Sequence, residues 1–91
     1  MKELFEVEVS SQVLKNGTWG SIDCEWDWEH DHYYFSIKEE DKAREFFESV
    51  ELSLDSPMVR IYRIWENKYG QTEDEELLDE RWVGEENWVR K

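Results

Sequence analysis

From Asp23 to Asp31 every odd position is acidic: Asp23, Glu25, Asp27, Glu29 and Asp31. From Ile22 to Trp28 every even position is apolar: Ile22, Cys24, Trp26 and Trp28. Period two is the repeat of a β-strand, whose successive side chains point to opposite faces. Phe5, Val7 and Val9 alternate with Glu6, Glu8 and Ser10 in the same way. Asn16-Gly17 stands between the two runs. Both residues tolerate the positive φ of a type I′ turn, so the pair is a strong hairpin signal.

A two-residue loop at Asn16-Gly17 sets Lys15 opposite Thr18. It then sets Val9 opposite Cys24, Val7 opposite Trp26 and Phe5 opposite Trp28, all on one face. Ser10 opposes Asp23, Glu8 opposes Glu25 and Glu6 opposes Asp27 on the other. A slip of one residue would turn Trp onto the acidic side, so pattern and turn chemistry support the same register. Leu14 and Trp19 then lie on the acidic face near the hairpin tip.

A helix is predicted over residues 37–51. Ser36 and Glu39 form a capping box that satisfies two otherwise unpaired backbone donors. Ala43, Phe46, Phe47 and Val50 fall on one stripe at helical spacing. Glu40 and Arg44 are placed to pair at i,i+4. The preceding "HDHYYF" either extends the second strand or turns into the helix. Met58–Glu66 is predicted to be an inner strand, with Val59, Ile61 and Trp65 on one face and Met58, Tyr62 and Ile64 on the other. Thr72 and Glu75 can cap a helix through Trp82, but a strand over Glu76–Val83, pairing with the one before it, is preferred. The expected architecture is two-layer α+β: an antiparallel sheet in the order β-β-α-β-β with one helix packed on it. Trp26, Trp28 and Trp65 are expected in the core.

The 91 residues are read as a single domain, 1–91. Six Trp and an aromatic content of 15% supply enough apolar surface for a core. The net charge of -13 argues against direct binding to nucleic acid or anionic lipid, both of which need cationic patches. It favours a basic partner or a bound cation. Cys24 is the only cysteine, so no internal disulfide forms. Neither a membrane-length apolar run nor a signal-peptide pattern is present, and a cytoplasmic setting is expected.

Three chemistries fit residue types found here. His30, Asp31 and His32 place two imidazoles and a carboxylate within three residues, as a divalent cation site would. Two rim histidines at a strand end are the plainer reading. Carboxylate catalysis needs an acid whose pKa is shifted by burial or charge. Acids on a solvated strand face do not meet that need, and no nucleophile constellation or phosphate-cradling loop is seen, so an enzyme is not expected.

The third is the acidic face itself: Glu6, Glu8, Asp23, Glu25, Asp27 and Glu29, with Trp19 beside it as an aromatic anchor. Like charges set opposite one another cost stability. Same-face carboxylates on a strand recur every ~6.8 Å, similar to the through-space separation of successive phosphates on one nucleic-acid strand. A second block, Glu73–Glu76 with Asp79 and Glu80, reads as a solvated loop or an extension of that surface.

In size, in charge and in the acidic rows at Glu6/Glu8 and Asp23–Asp31, the chain resembles the small acidic proteins that phages encode against host defence. These include anti-restriction DNA mimics and anti-CRISPR inhibitors. The resemblance implies a non-enzymatic inhibitor, acting in the host cytoplasm, that binds a basic nucleic-acid-handling protein or nuclease as a nucleic-acid mimic and takes no cofactor. Two alternatives stand beside it. One is a structural or accessory protein that oligomerises through Met58, Tyr62, Ile64 and Trp88. The other is a cation- or small-ligand-binding domain at His30, Asp31 and His32.

Overall fold

The computed structural model describes residues 2–16 and 25–84. The elements are β1 (Lys2–Asn16), β2 (Glu25–Ser36), a 3-10 turn (Ile37–Glu39), α1 (Glu40–Ser49), β3 (Met58–Glu66) and β4 (Thr72–Trp82). They form one four-stranded antiparallel sheet, ordered β2-β1-β3-β4, with α1 on one face. This is the α+β order the sequence predicts. Among the described residues no helix is long and apolar enough to cross a membrane.

Both β2 and β3 run antiparallel to β1, so they are parallel to each other with β1 between them. Parallel strands cannot be joined by a tight turn and need a crossover, which α1 supplies. Phe5 and Val7 of β1, Val59 and Ile61 of β3, and Ala43 and Phe47 of α1 form the buried centre. Val9, Phe35, Ile37, Phe46, Val50, Leu52 and Leu78 close around it. The apolar stripe read from the helix is the one that packs. The capping box is present one step early: Ser36 Oγ accepts from Lys38 N–H, and the Glu39 carboxylate accepts from Ser36 N–H. The Glu40–Arg44 pair forms at 2.8 Å.

β3 has the predicted bounds and is an inner strand, with Val59 and Ile61 buried on the helix side and Met58 and Ile64 on the other. The segment after it is a strand, as preferred, but longer than expected. The acidic block Glu73–Glu76 belongs to it rather than to a loop. Two register shifts interrupt its pairing with β3. One of them turns Leu78 onto the core.

The register of the first hairpin is a correction. Phe5 faces Phe35, Val7 faces Tyr33, Val9 faces Asp31 and Gln12 faces Trp28. Asn16 faces Glu25, which is incompatible with a two-residue loop at Asn16-Gly17. Residues 17–24, which include Trp19, Asp23 and Cys24, lie outside the described residues. From Asp27 to Phe35 the difference from the expected register is an odd number of residues, so those β2 side chains change face.

The physical reason is at the other end of the strand. The expected register would carry Tyr33, Tyr34 and Phe35 past the end of β1, with nothing opposite them. The observed one sets Tyr33 and Phe35 beside Phe46, at ring-centroid distances of 4.8 and 5.7 Å. Because the helical segment begins at Ile37, directly after β2, the aromatic pair nearest the helix decides the register. Trp28 is therefore not core: it is 43% exposed on the face away from α1.

The far end of α1 is tied to β4. The last four carbonyls of a helix lack intrahelical partners. Arg81 donates from one guanidinium nitrogen to the carbonyls of Phe47 (2.6 Å) and Val50 (3.1 Å), and its guanidinium lies 5.8 Å from the Phe47 ring centre. Charge-assisted hydrogen bonds contribute about 1.5–3 kcal/mol. Arg81→Met keeps the stem and removes the donors. It is expected to lower unfolding free energy by about that amount in urea. A loss below about 0.5 kcal/mol would show that water replaces the cap.

Candidate interaction surface

Strand β2 presents two different faces. Toward the helix side point Asp27, Glu29, Asp31, Tyr33 and Phe35, set opposite Val13, Ser11, Val9, Val7 and Phe5. The aromatic end meets Phe46, while the three carboxylates lie beyond the helix and are exposed. No Lys or Arg reaches any of them among the described residues. The one hydrogen bond there is from Trp28 N–H to Asp27 Oδ1, at 2.8 Å.

Toward the outer side point Trp28, His30, His32 and Tyr34. Their rings run in stacked pairs: Trp28–His30 at 6.4 Å and His32–Tyr34 at 6.5 Å. This row is readable as W-x-H-x-H-x-Y, but its partners are not, because they sit on β1 in the observed register. His30 Nδ1 is 2.8 Å from Oγ of the buried Ser10. His32 Nδ1 is 2.7 Å from Glu6 Oε2 and 3.9 Å from Glu8 Oε2. An ionised carboxylate can only accept, so Nδ1 of His32 carries the proton toward Glu6.

The expected acidic face is thereby divided. Glu6 and Glu8 lie on the outer side behind the histidines, opposite Tyr34 and His32 rather than Asp27 and Glu25. Glu6 is only 8% exposed. Asp27 and Glu29 are on the helix side. Glu25 is placed by its backbone alone, opposite Asn16. The His30, Asp31 and His32 trio is also split, with Asp31 on the helix side and the imidazoles outside. Among the described residues no group of three or more His, Cys, Asp or Glu side chains is placed to hold a metal ion.

Where the carboxylates gather instead is along the two sheet edges. Asp27, Glu29 and Asp31 line β2, and Glu73–Glu76, Asp79 and Glu80 line β4. On β4, Glu80 is paired with Arg60 at 3.1 Å and Glu73 accepts from Asn67. The row on β2 has no such neutralisation. Its Asp27 and Glu29 also sit on a ribbon that outruns the pairing of β1 with β3, while Asp31 lies opposite Val9, inside it. Pairing of β1 with β3 ends at Ser10–Met58, whereas pairing with β2 continues to Asn16. Between these limits a loop braces β1 through Ser11 Oγ–Ser56 Oγ (2.6 Å) and Gln12 N–H to the Asp55 carbonyl (2.7 Å).

At the end of the ring row, the Tyr34 phenol is held above its usual range. Desolvation is the first cause, followed by the Glu6 charge, the hydrogen bond it donates to Glu6, and the charges of Glu66 and Glu8. Folding thus favours the protonated phenol. Its share of stability is complete below the unfolded pKa near 10 and is lost as pH rises through the folded value. Stability should fall as pH rises above about 10, and Tyr34→Phe should flatten that slope. An unchanged slope in melts of the variant would contradict the Tyr34–Glu6 contact.

Comparison with protein-family models, curated proteins and solved structures gives no match.

Proposed function

We propose that the chain is a non-enzymatic binding protein that engages a basic, nucleic-acid-handling protein and inhibits it by taking the place of the nucleic-acid backbone. The observation that carries this reading is the row Asp27, Glu29, Asp31: three exposed carboxylates on one side of an edge strand, none paired with a base among the described residues. At ~6.8 Å between neighbours the row offers a phosphate-like repeat. The Asp27 and Glu29 end of the row is on a projecting ribbon that can enter a groove. The field of a chain carrying -13 would steer a cationic partner toward it and make association salt-sensitive. Relative to the sequence expectation, the surface moves from a two-strand patch with Glu6 and Glu8 to the β2 edge alone. The phage-type anti-defence resemblance remains the model for such an inhibitor.

The test is to immobilise the protein, capture nucleic-acid-binding proteins at low salt, and ask whether each captured protein releases its nucleic acid. Release, with affinity falling steeply as salt rises, supports the reading. Captured proteins that keep their nucleic acid while bound would overturn inhibition by mimicry. The contribution of the row itself is tested by charge reversal below.

The outer face favours a second reading, that of an oligomer-forming accessory protein. Of the residues expected to drive it, Met58 and Ile64 are buried and Tyr62 is half-buried, while Trp88 lies outside the described residues. Trp28, Tyr34, Leu77 and Trp82 are exposed there instead. A salt-insensitive oligomer in light scattering would support this second reading over the first.

A further inference from the structure

Strand β2 is a sheet edge twelve residues long. An edge strand leaves a row of backbone N–H and C=O groups unpaired, a template for another strand. Proteins guard such edges with Lys, Pro, bulges or short strands. β4, the opposite edge, carries two register shifts against β3. β2 has neither Pro nor Lys, and the single shift in its pairing falls between Leu14 and Asn16 of β1, leaving β2 itself regular. Among the described residues no chain pairs with its outer edge.

Its guard is charge alone, and a carboxylate guard is selective. A second copy of β2 laid alongside would bring Asp27, Glu29 and Asp31 against like charges, which is unfavourable. An alternating basic strand would meet those carboxylates with one face. Its other face would lie against Trp28, His30, His32 and Tyr34.

We infer that the outer edge of β2 binds its basic partner by strand addition, taking an extended segment in which Lys or Arg alternates with apolar residues. The inference rests on the binding function proposed above and specifies the partner's conformation. Main-chain hydrogen bonds supply affinity in this mode, and the alternate side chains supply register. The acids select the basic face and the ring row selects the apolar one.

Two acetylated eight-residue peptides test it: one alternating Lys and Val, the other with the same residues in two blocks. The alternating peptide should bind roughly tenfold or more tightly at about 0.15 M salt and slow hydrogen exchange at alternate amides of β2. N-methylating one alternate set of its amides should abolish binding, and methylating the other should leave it intact, because only one edge of a strand can pair. Equal affinity for both peptides, or equal effects of the two methylations, would overturn strand addition while leaving charge-driven binding standing. Failure of both peptides to bind, together with no captured partner, would overturn both. Concentration-dependent pairing of β2 with itself would also overturn it, by giving the edge to a second copy.

Discussion

Phe47→Ala is expected to lower unfolding free energy by about 3–5 kcal/mol, the usual cost of removing a buried phenyl ring and leaving its cavity. Trp28→Ala, although it removes a larger side chain, is expected to cost less than about 1 kcal/mol. Phe47 is 3% exposed at the centre of the core, where Arg81 also lies over its ring. Trp28 is 43% exposed and keeps one stacked neighbour, His30. For a domain of this size the whole folding free energy is on the order of 5–14 kcal/mol, so the first loss is a large fraction of it.

The pair of variants also tests the hairpin register. Had Trp28 faced Phe5 beneath the helix, its truncation would rank with that of Phe47. Urea denaturation of both decides the matter, and a larger loss for Trp28→Ala would restore the short Asn16-Gly17 turn.

That register is where sequence reasoning met its limit, and the cause is specific. β2 contains two apolar phases: Trp26 and Trp28 at even positions, Tyr33 and Phe35 at odd ones. Only one phase can face the helix. Turn chemistry is a local signal and selected the first. Attachment of the helix at Ile37 and the position of Phe46 are non-local, and they select the second. Elements whose signals agree were legible. The Phe47 stripe, the Ser36 and Glu39 cap, and the Met58–Glu66 strand with apolar groups on both faces all lie where their patterns place them.

The candidate site was legible in part. The acidic row on β2 is plain in the sequence, but its face depends on the register. Its separation from Glu6 and Glu8 therefore had no local signature. Their role changes with it, from surface charge to a hydrogen-bond acceptor beneath an imidazole at Glu6 and a neighbouring charge 3.9 Å from that ring at Glu8.

Reversal of the β2 row, Asp27→Lys with Glu29→Lys and Asp31→Lys, should move binding and stability in different directions. Each reversal shifts the net charge by two units from its value of -13. Because the three carboxylates are exposed and lack ion pairs among the described residues, folding loses little beyond the bond from Trp28 N–H to Asp27. Stability should hold or rise by a few tenths of a kcal/mol as self-repulsion falls. Affinity for a basic partner should fall about 100-fold or more at low salt, since three favourable charges become repulsive ones. The loss should shrink as salt rises and the screening length drops below the ~14 Å span of the row.

A surface that only solubilises would give the stability change without the loss of binding, and that result in a calorimetric titration would end the assignment. Reversal at Glu6 could not make the same distinction. The Glu6 carboxylate accepts from His32 and Tyr34 in a nearly closed position. A lysine there would bury a charge beside two donors and unfold the sheet before it reported on any partner.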